Sequence, residues 1–345
     1  MNYIDDVLID IQKKIAPSDE TLEAARSRRD EVLSAARAYG GALRTYTAGS
    51  IAHRTANDDT DADCGVVLDR RSYHELGPDG DGGAPNDIVD DVRAYIRGQL
   101  KERHPNIAFQ LTKRAIKVTF NEPLQNGSDP SVDLIVALTR AAGALWIPNL
   151  ERRHWDASDP ECHTQLLTAE PAGLRRTRAK VIRLAKAWNN QYSQPGLCSF
   201  NIEALALEAI KEETGVADGL VTFFSHAASD LSRRQTPDPA GVSAPIKTLL
   251  EREIVAGRLA RAAETLKNAA SSVNEHDALD DLANVYWLYV TPPSDSSSKA
   301  AFAKALREGN SAVRVVPRDG ISIVSTAGVE LKTTRAYGDY DHEVR

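Results

Sequence analysis

The sequence predicts an α+β lobe followed by a lobe of helices. Short alternating apolar segments are concentrated between residues 42 and 138, and apolar residues at helical spacing take over after about residue 165. Within the strand-rich stretch, two aspartates separated by one residue, Asp61 and Asp63, stand at the head of the apolar run Val66, Val67, Leu68. At 345 residues the chain is long enough to bury a core in each lobe.

Taken in order, Pro17-Ser18 opens a helix with Leu22, Ala25, Val32 and Ala36 at near-helical spacing, and Gly40-Gly41 stops it. Ala42 to Ala48 read as a short strand entering the Gly49-Ser50 turn, and a second strand runs from about Asp61 to Leu68. Leu76 to Asp87 are a loop by composition. Ile88, Val89, Val92, Ile96 and Leu100 predict a helix. Ile107, Phe109 and Leu111, then Ile116, Val118 and Phe120, alternate as strands; Ser131 to Leu138 form another, with Val132, Leu134 and Val136 on one face and Asp133 on the other. Helices are expected over 177–190, 201–213, 243–256, 259–270 and 298–307, one or two short strands beyond Gly309, and a tail at the end.

Hydrophobic residues make up 42% and charged residues 26%, an ordinary globular balance. No apolar run approaches the roughly 20 residues that span a bilayer, and the acidic start MNYIDDVLID lacks a secretory pattern. Three scattered cysteines, Cys64, Cys162 and Cys198, do not make a disulfide framework. The chain reads as cytoplasmic. Its net charge of -7 argues against broad binding to a phosphate backbone, although Leu174 to Trp188 carry four arginines, two lysines and no acid. Such a run is ordinarily a solvated helix face.

Side chains alternate along a strand, so Asp61 and Asp63 share a face, and each raises the other's proton affinity unless a cation sits between them. Mg²⁺ suits hard carboxylate oxygens and leaves positions for phosphates. Asp133, a charge in an otherwise apolar strand, would complete a two-metal site. A glycine at 49 lets backbone N–H groups approach a phosphate to which the Ser50 hydroxyl also donates. Such parts can hold a nucleoside triphosphate and direct attack on its α-phosphorus. His154, Cys162 and His163 lack the spacing of a zinc site, and Cys64 reads as buried packing.

Gly49-Ser50, Thr55, Asp61-x-Asp63 and the later Asp133 resemble the signature of the polymerase-β-like nucleotidyltransferase superfamily. More narrowly, LWIPNLERRHWDASDPECH (145–163), AKVIRLAKAWN (179–189) and CSFNIEALAL (198–207) resemble segments of the bacterial cGAS/DncV-like nucleotidyltransferases (CD-NTases) of anti-phage CBASS systems. The resemblance covers about residues 40 to 210. It implies a polymerase-β-like α+β core with a mixed sheet and a helical lobe, with the cleft between them binding donor and acceptor. The expected division is 1–165 for the core lobe, 166–310 for the helical lobe and 311–345 for a C-terminal extension.

The resemblance also implies roles. Asp61, Asp63 and Asp133 would hold two Mg²⁺ (or Mn²⁺) ions, with Asp133 activating the acceptor hydroxyl. Gly49, Ser50, Lys186 and Ser199 would contact the triphosphate, and Phe200 would stack on a base. Ser199 also reads as a helix N-cap, and Phe200 equally as core. One departure is Arg54, where the family often has glycine before the threonine. The activity implied is the joining of nucleoside triphosphates into a cyclic di- or trinucleotide messenger, with pyrophosphate release, a downstream effector that reads the product, and no nucleic-acid activator. A linear or RNA-end nucleotidyltransferase, transfer of a nucleotide to a protein, and an inactive nucleotide-binding scaffold are the alternatives.

Overall fold

The computed structural model describes residues 3–58, 61–78, 80, 84–140, 143–169, 171–292, 313–316 and 320–323. They fall into two compact units. One holds the described part of Ile15–Arg183 together with Gln235–Lys247; the other holds Tyr3–Lys14, Leu184–Arg234 and the described residues from Thr248 on.

The first unit is built on a seven-stranded mixed sheet. Its strands are β1 (Ala42–Ala48), β2 (Ala62–Leu68), β3 (Ala108–Leu111), β4 (Ile116–Thr119), β5 (Val132–Thr139), β6 (Leu145–Asn149) and β7 (His154–Ser158). The order is β1-β2-β5-β4-β3, with β6 pairing β5 and β7. All pairs are antiparallel except β2 and β5, which run parallel. A parallel pair requires a crossover. Here it contains α4 (Asn86–Leu100) and the β3–β4 hairpin.

One sheet face makes the core. Ala62, Cys64, Val66 and Leu68 of β2 and Val132, Leu134, Val136 and Leu138 of β5 pack with Ala25, Val32 and Ala36 of α2 (Asp19–Arg37) and with Ile88, Val89, Val92 and Ile96 of α4. The α2 helix starts where Ser18 accepts a hydrogen bond from the Thr21 N–H (3.1 Å), and Asp19 and Glu20 suit the positive end of its dipole. Asp63 and Asp133, one step out of phase with these apolar residues, necessarily point to the opposite face.

The sequence missed the β6–β7 hairpin, which lies inside the 145–163 segment that carries part of the resemblance. Pro148 and the charged run Glu151 to His154 disguise its alternation. Arg114, 1% exposed, fastens it through Asp156 (2.6 Å). Helix α5 (Pro160–Thr168), capped by Asp159, follows. Of the helix expected over 243–256, only 252–256 are helical, as the start of α9 (Arg252–Ser271). Residues 235–251 are irregular apart from a Thr236–Ile246 bridge: the Asp238 carboxylate accepts the N–H groups of Ala240, Val242 and Ser243, and the N–H groups of Ile246 and Leu249 go to the carbonyls of Thr236 and Gly196 rather than to helical partners.

The second unit contains α1 (Tyr3–Lys14), the end of α6 (Ala172–Asn190), α7 (Ser199–Ala209), α8 (Val216–Arg233), α9 (Arg252–Ser271) and α10 (Glu275–Val285). Its core includes an edge-to-face aromatic chain: Trp188 meets Phe224 (4.9 Å between centroids) and Tyr192 (5.4 Å), and Tyr192 meets Trp287 (4.9 Å). Neither α1 nor α8 was read from the sequence, although Ile4, Leu8, Ile11 and Leu220, Phe223, Phe224, Ala227, Leu231 bury helical stripes. The strands expected beyond Gly309 are β8 (Val313–Val316) and β9 (Gly320–Ile323); the helix expected over 298–307 lies outside the described residues. Among those residues, no helix is long and apolar enough to cross a membrane.

Arg28 supplies a test of how the first unit is braced. Buried on α2, its guanidinium donates to Asp129 Oδ1 (2.6 Å) and to the carbonyls of Pro130 (2.7 Å) and Glu122 (2.5 Å). Arg28→Met removes one cation and leaves three acceptors without it, so denaturant unfolding should show a loss of about 2–4 kcal/mol.

Candidate active site

The site begins with strand register. Asp63 of β2 sits beside Asp133 of β5 in the parallel pair, and Lys117 of β4 sits on the other side of Asp133. Ala48 of β1 and Gln110 of β3 complete one row across five strands. Neighbouring residues in such a row point the same way, strands being about 4.8 Å apart. Two residues before Asp63, Asp61 shares this face. The structure therefore brings together all three sequence-predicted aspartates.

Gly49 and Ser50 come next to them. Gly49 opens the short helix α3 (Gly49–His53) directly after β1 with φ 71°, a conformation that glycine adopts without steric penalty. A Cβ at this position would stand 1.8 Å from Asp63 Oδ2. The Asp63 carboxylate thus lies against bare backbone, in space that any side chain would fill. Ser50 is half-buried, and its carbonyl accepts the N–H of the fully buried Thr55 (2.8 Å).

Arg54, the one departure from the signature noted above, has a conformational meaning. Arg54 terminates α3 at φ 62°, in the left-handed region. A non-glycine residue there costs on the order of 1 kcal/mol, which is why glycine suits the position; the chain tolerates arginine with the turn intact.

The residue that sequence reading missed is Lys117. Its ammonium donates to Asp61 Oδ2 at 2.9 Å, with both side chains largely withdrawn from water (15% and 19% exposed). Burial alone would pull this lysine down, but the charge and hydrogen bond of Asp61, followed by the charges of Asp133 and Asp63, hold it above the ordinary lysine value. The alternation Ile116, Val118, Phe120 carries the signal: Lys117 is out of phase with the apolar face, as Asp133 is on the strand beside it.

Among the described residues, no group of three or more His, Cys, Asp and Glu side chains is arranged to hold a metal ion. The donor set is nevertheless of the right kind: three carboxylates offer hard oxygens of the sort Mg²⁺ takes. An ammonium already rests on one of them, so a cation is accommodated at Asp61. The histidines set aside as zinc ligands are engaged elsewhere. His163 Nε2 meets Asp238 Oδ1 (2.6 Å), and His154 Nε2 meets Asp156 Oδ1 (2.7 Å). Cys64 is buried, and burial pushes its thiol well up.

The remaining predicted residues belong to the helical unit. From Thr177 to Asn189 the basic helix α6 is mostly buried rather than a solvated face. Lys186, 6% exposed, donates to Glu203 Oε1 of α7 at 2.8 Å. The cap of α7 is Cys198, whose sulfur accepts the Asn201 N–H (3.2 Å), and not Ser199. Ser199 is the exposed first residue of that helix, and Phe200 is half-buried. Asn189 fixes the preceding loop: its Oδ1 accepts the N–H groups of Gly196 and Leu197 (both 3.0 Å), and its Nδ2 donates to the Leu197 carbonyl (2.8 Å).

No protein-family model matches the chain, and no curated protein matches it. Solved structures do. Bradyrhizobium diazoefficiens CdnG, a CD-NTase solved in complex with GTP, superposes with a TM-score of 0.61 at 17% identity over 86% of this chain and 98% of its own. E. coli MS115-1 CdnC, solved with ATP, gives 0.60 at 18% identity over 83% and 98%. Vibrio cholerae DncV, a cyclic AMP-GMP synthase solved with a linear intermediate, gives 0.55 at 14% identity over 81% and 94%. The fold is that of a bacterial CD-NTase. At these identities the likeness establishes the architecture, in which the polymerase-β-like CD-NTase core corresponds to the mixed sheet described here.

The Lys186–Glu203 pair can be tested on its own. Lys186→Met leaves the Glu203 charge buried without its ammonium and should lower unfolding stability by about 3–5 kcal/mol. Adding Glu203→Leu should restore most of that loss. A role in the pair alone predicts that the double variant retains nucleotide affinity in equilibrium dialysis with labelled ATP; a phosphate contact predicts that both variants lose it.

Proposed function

We propose that this protein is a nucleotidyltransferase that joins nucleoside triphosphates into a cyclic di- or trinucleotide, releasing pyrophosphate. The observation that carries this reading is the register pair Asp63–Asp133, with Asp61 beside it and the bare backbone of Gly49 against Asp63, set in the CD-NTase fold. Asp61, Asp63 and Asp133 would hold Mg²⁺ or Mn²⁺. When bound, two such ions neutralise the triphosphate's charge and polarise the reacting oxygens. The chain's own residues do the rest. Backbone N–H groups after Gly49 and the Ser50 hydroxyl hold the donor triphosphate. The Asp133 carboxylate accepts the proton of the acceptor hydroxyl as its oxygen bonds to the α-phosphorus and the bond to pyrophosphate breaks. Positioning and charge account for most of the rate in such transfers.

In the helical unit, Ser199 stands at the exposed N-terminus of α7, where a phosphate is favoured, and Phe200 offers a ring for base stacking worth about 1–3 kcal/mol. We assign them as a second phosphate contact and a base platform. The biological setting we infer is cytoplasmic anti-phage signalling, with the nucleotide product read by an effector. The intact carboxylate set speaks against an inactive scaffold.

The test is incubation with labelled ATP, GTP, CTP and UTP and Mg²⁺ or Mn²⁺, followed by phosphatase digestion and mass analysis. A phosphatase-resistant oligonucleotide is expected from the wild type and none from Asp61→Asn/Asp63→Asn. Phosphatase-sensitive chains would identify a linear polymerase instead. Gly49→Ala should cost about 100-fold or more in rate, since its methyl group displaces the Asp63 carboxylate; circular dichroism would confirm that the variant folds.

A further inference from the structure

The row that carries Asp63 and Asp133 also carries a cation. Lys117 neighbours Asp133 in register on β4 and reaches along the face to Asp61, so one ammonium lies among three carboxylates. Like charges this close on a rigid sheet destabilise the fold unless something opposes them. At 15% exposure Lys117 is poorly placed to be replaced by bulk salt. Its chemistry is also specific. Lysine is a point charge on a flexible stem and can leave a carboxylate, whereas the planar fork of arginine grips both oxygens.

We propose that Lys117 is the resident counterion of the carboxylate cluster: it holds Asp61 in the metal-free protein and gives that carboxylate up when a divalent cation binds, so that it sets the affinity for the ion. This rests on the reading that the three aspartates take metal. Lys117 touches a ligand and not the substrate, so it is a positioning residue. Its position lowers metal affinity and stabilises the apoprotein, two consequences that a merely structural salt bridge would not combine.

The experiment is Mn²⁺ titration of the full chain without nucleotide, free Mn²⁺ being read by electron paramagnetic resonance. Lys117→Met should bind Mn²⁺ about ten-fold more tightly or better, the scale on which one neighbouring charge shifts a carboxylate's affinity for a cation. Lys117→Arg should bind no more tightly than the wild type, and Asp61→Asn should abolish the difference between Met and Lys at 117. Thermal unfolding is the second readout. Without metal, Lys117→Met should melt below the wild type, Asp61→Asn added to it should recover part of the loss, and Mn²⁺ should raise its Tm by more than it raises the wild type's.

Unchanged or weaker Mn²⁺ binding by Lys117→Met, with binding still dependent on Asp61, would overturn the proposal and leave the metal site standing. Absence of Asp61-dependent Mn²⁺ binding in every variant would overturn both. Should Lys117→Met fail to fold by circular dichroism, Lys117→Gln is judged by the same two outcomes.

Discussion

Electrostatic repulsion among Asp61, Asp63 and Asp133 is the constraint around which this sheet is organised. The strands leave the carboxylates no route apart, because the opposite face of β2 and β5 is committed to the core with α2 and α4. The protein answers with a lysine on the neighbouring strand and a glycine backbone that leaves room beside Asp63. Both answers are local: Lys117 is placed by the same hydrogen-bond register as the charges, and Gly49 directly follows Ala48, the register partner of Asp63. On the function proposed above, holding the three carboxylates on one sheet face by register would leave little to gather when a ligand arrives, which is where catalytic sites obtain much of their advantage.

The helical unit handles its polar groups differently. Lys186 and Glu203 are buried as a pair between α6 and α7, and Asn189 satisfies three backbone groups of the loop before α7. These contacts fix the start of α7, and hence Ser199 and Phe200, through polar bonds in a low-dielectric interior. Such bonds are worth little when complete and a great deal when one partner is lost.

What was legible in the sequence follows from which signals are local. Strands β1, β2, β4 and β5 and helices α2 and α4 were read to within a few residues, because alternation, helical spacing and a Ser18 cap are written in consecutive positions. The three aspartates were legible for the same reason, each being out of phase with an apolar strand. The β6–β7 hairpin was hidden by a proline and a charged turn, and the irregular 235–251 segment by long-range backbone bonds, Ile246 N–H to Thr236 and Leu249 N–H to Gly196, that no local pattern announces. Lys117 was legible by phase but not by role, since its partner Asp61 is far away in the chain and only the sheet order reveals the pairing. The placement of α1 with the helical unit, despite its position at the start of the chain, is likewise a tertiary fact with no local signature.

The composition of β5 has a further effect. Every residue from Val132 to Leu138 is buried, and Asp133 is the only polar one among them. A strand that is apolar on both faces carries little information about its own alignment, because sliding it by one place still puts hydrophobic atoms against hydrophobic atoms. Asp133 breaks that degeneracy. Slid by one, it would enter the core among the α2 and α4 side chains; in place, it sits between Asp63 and Lys117. The same carboxylate that our reading assigns to chemistry therefore serves as the alignment mark of the central strand, and a chain that lost it would lose fidelity of assembly.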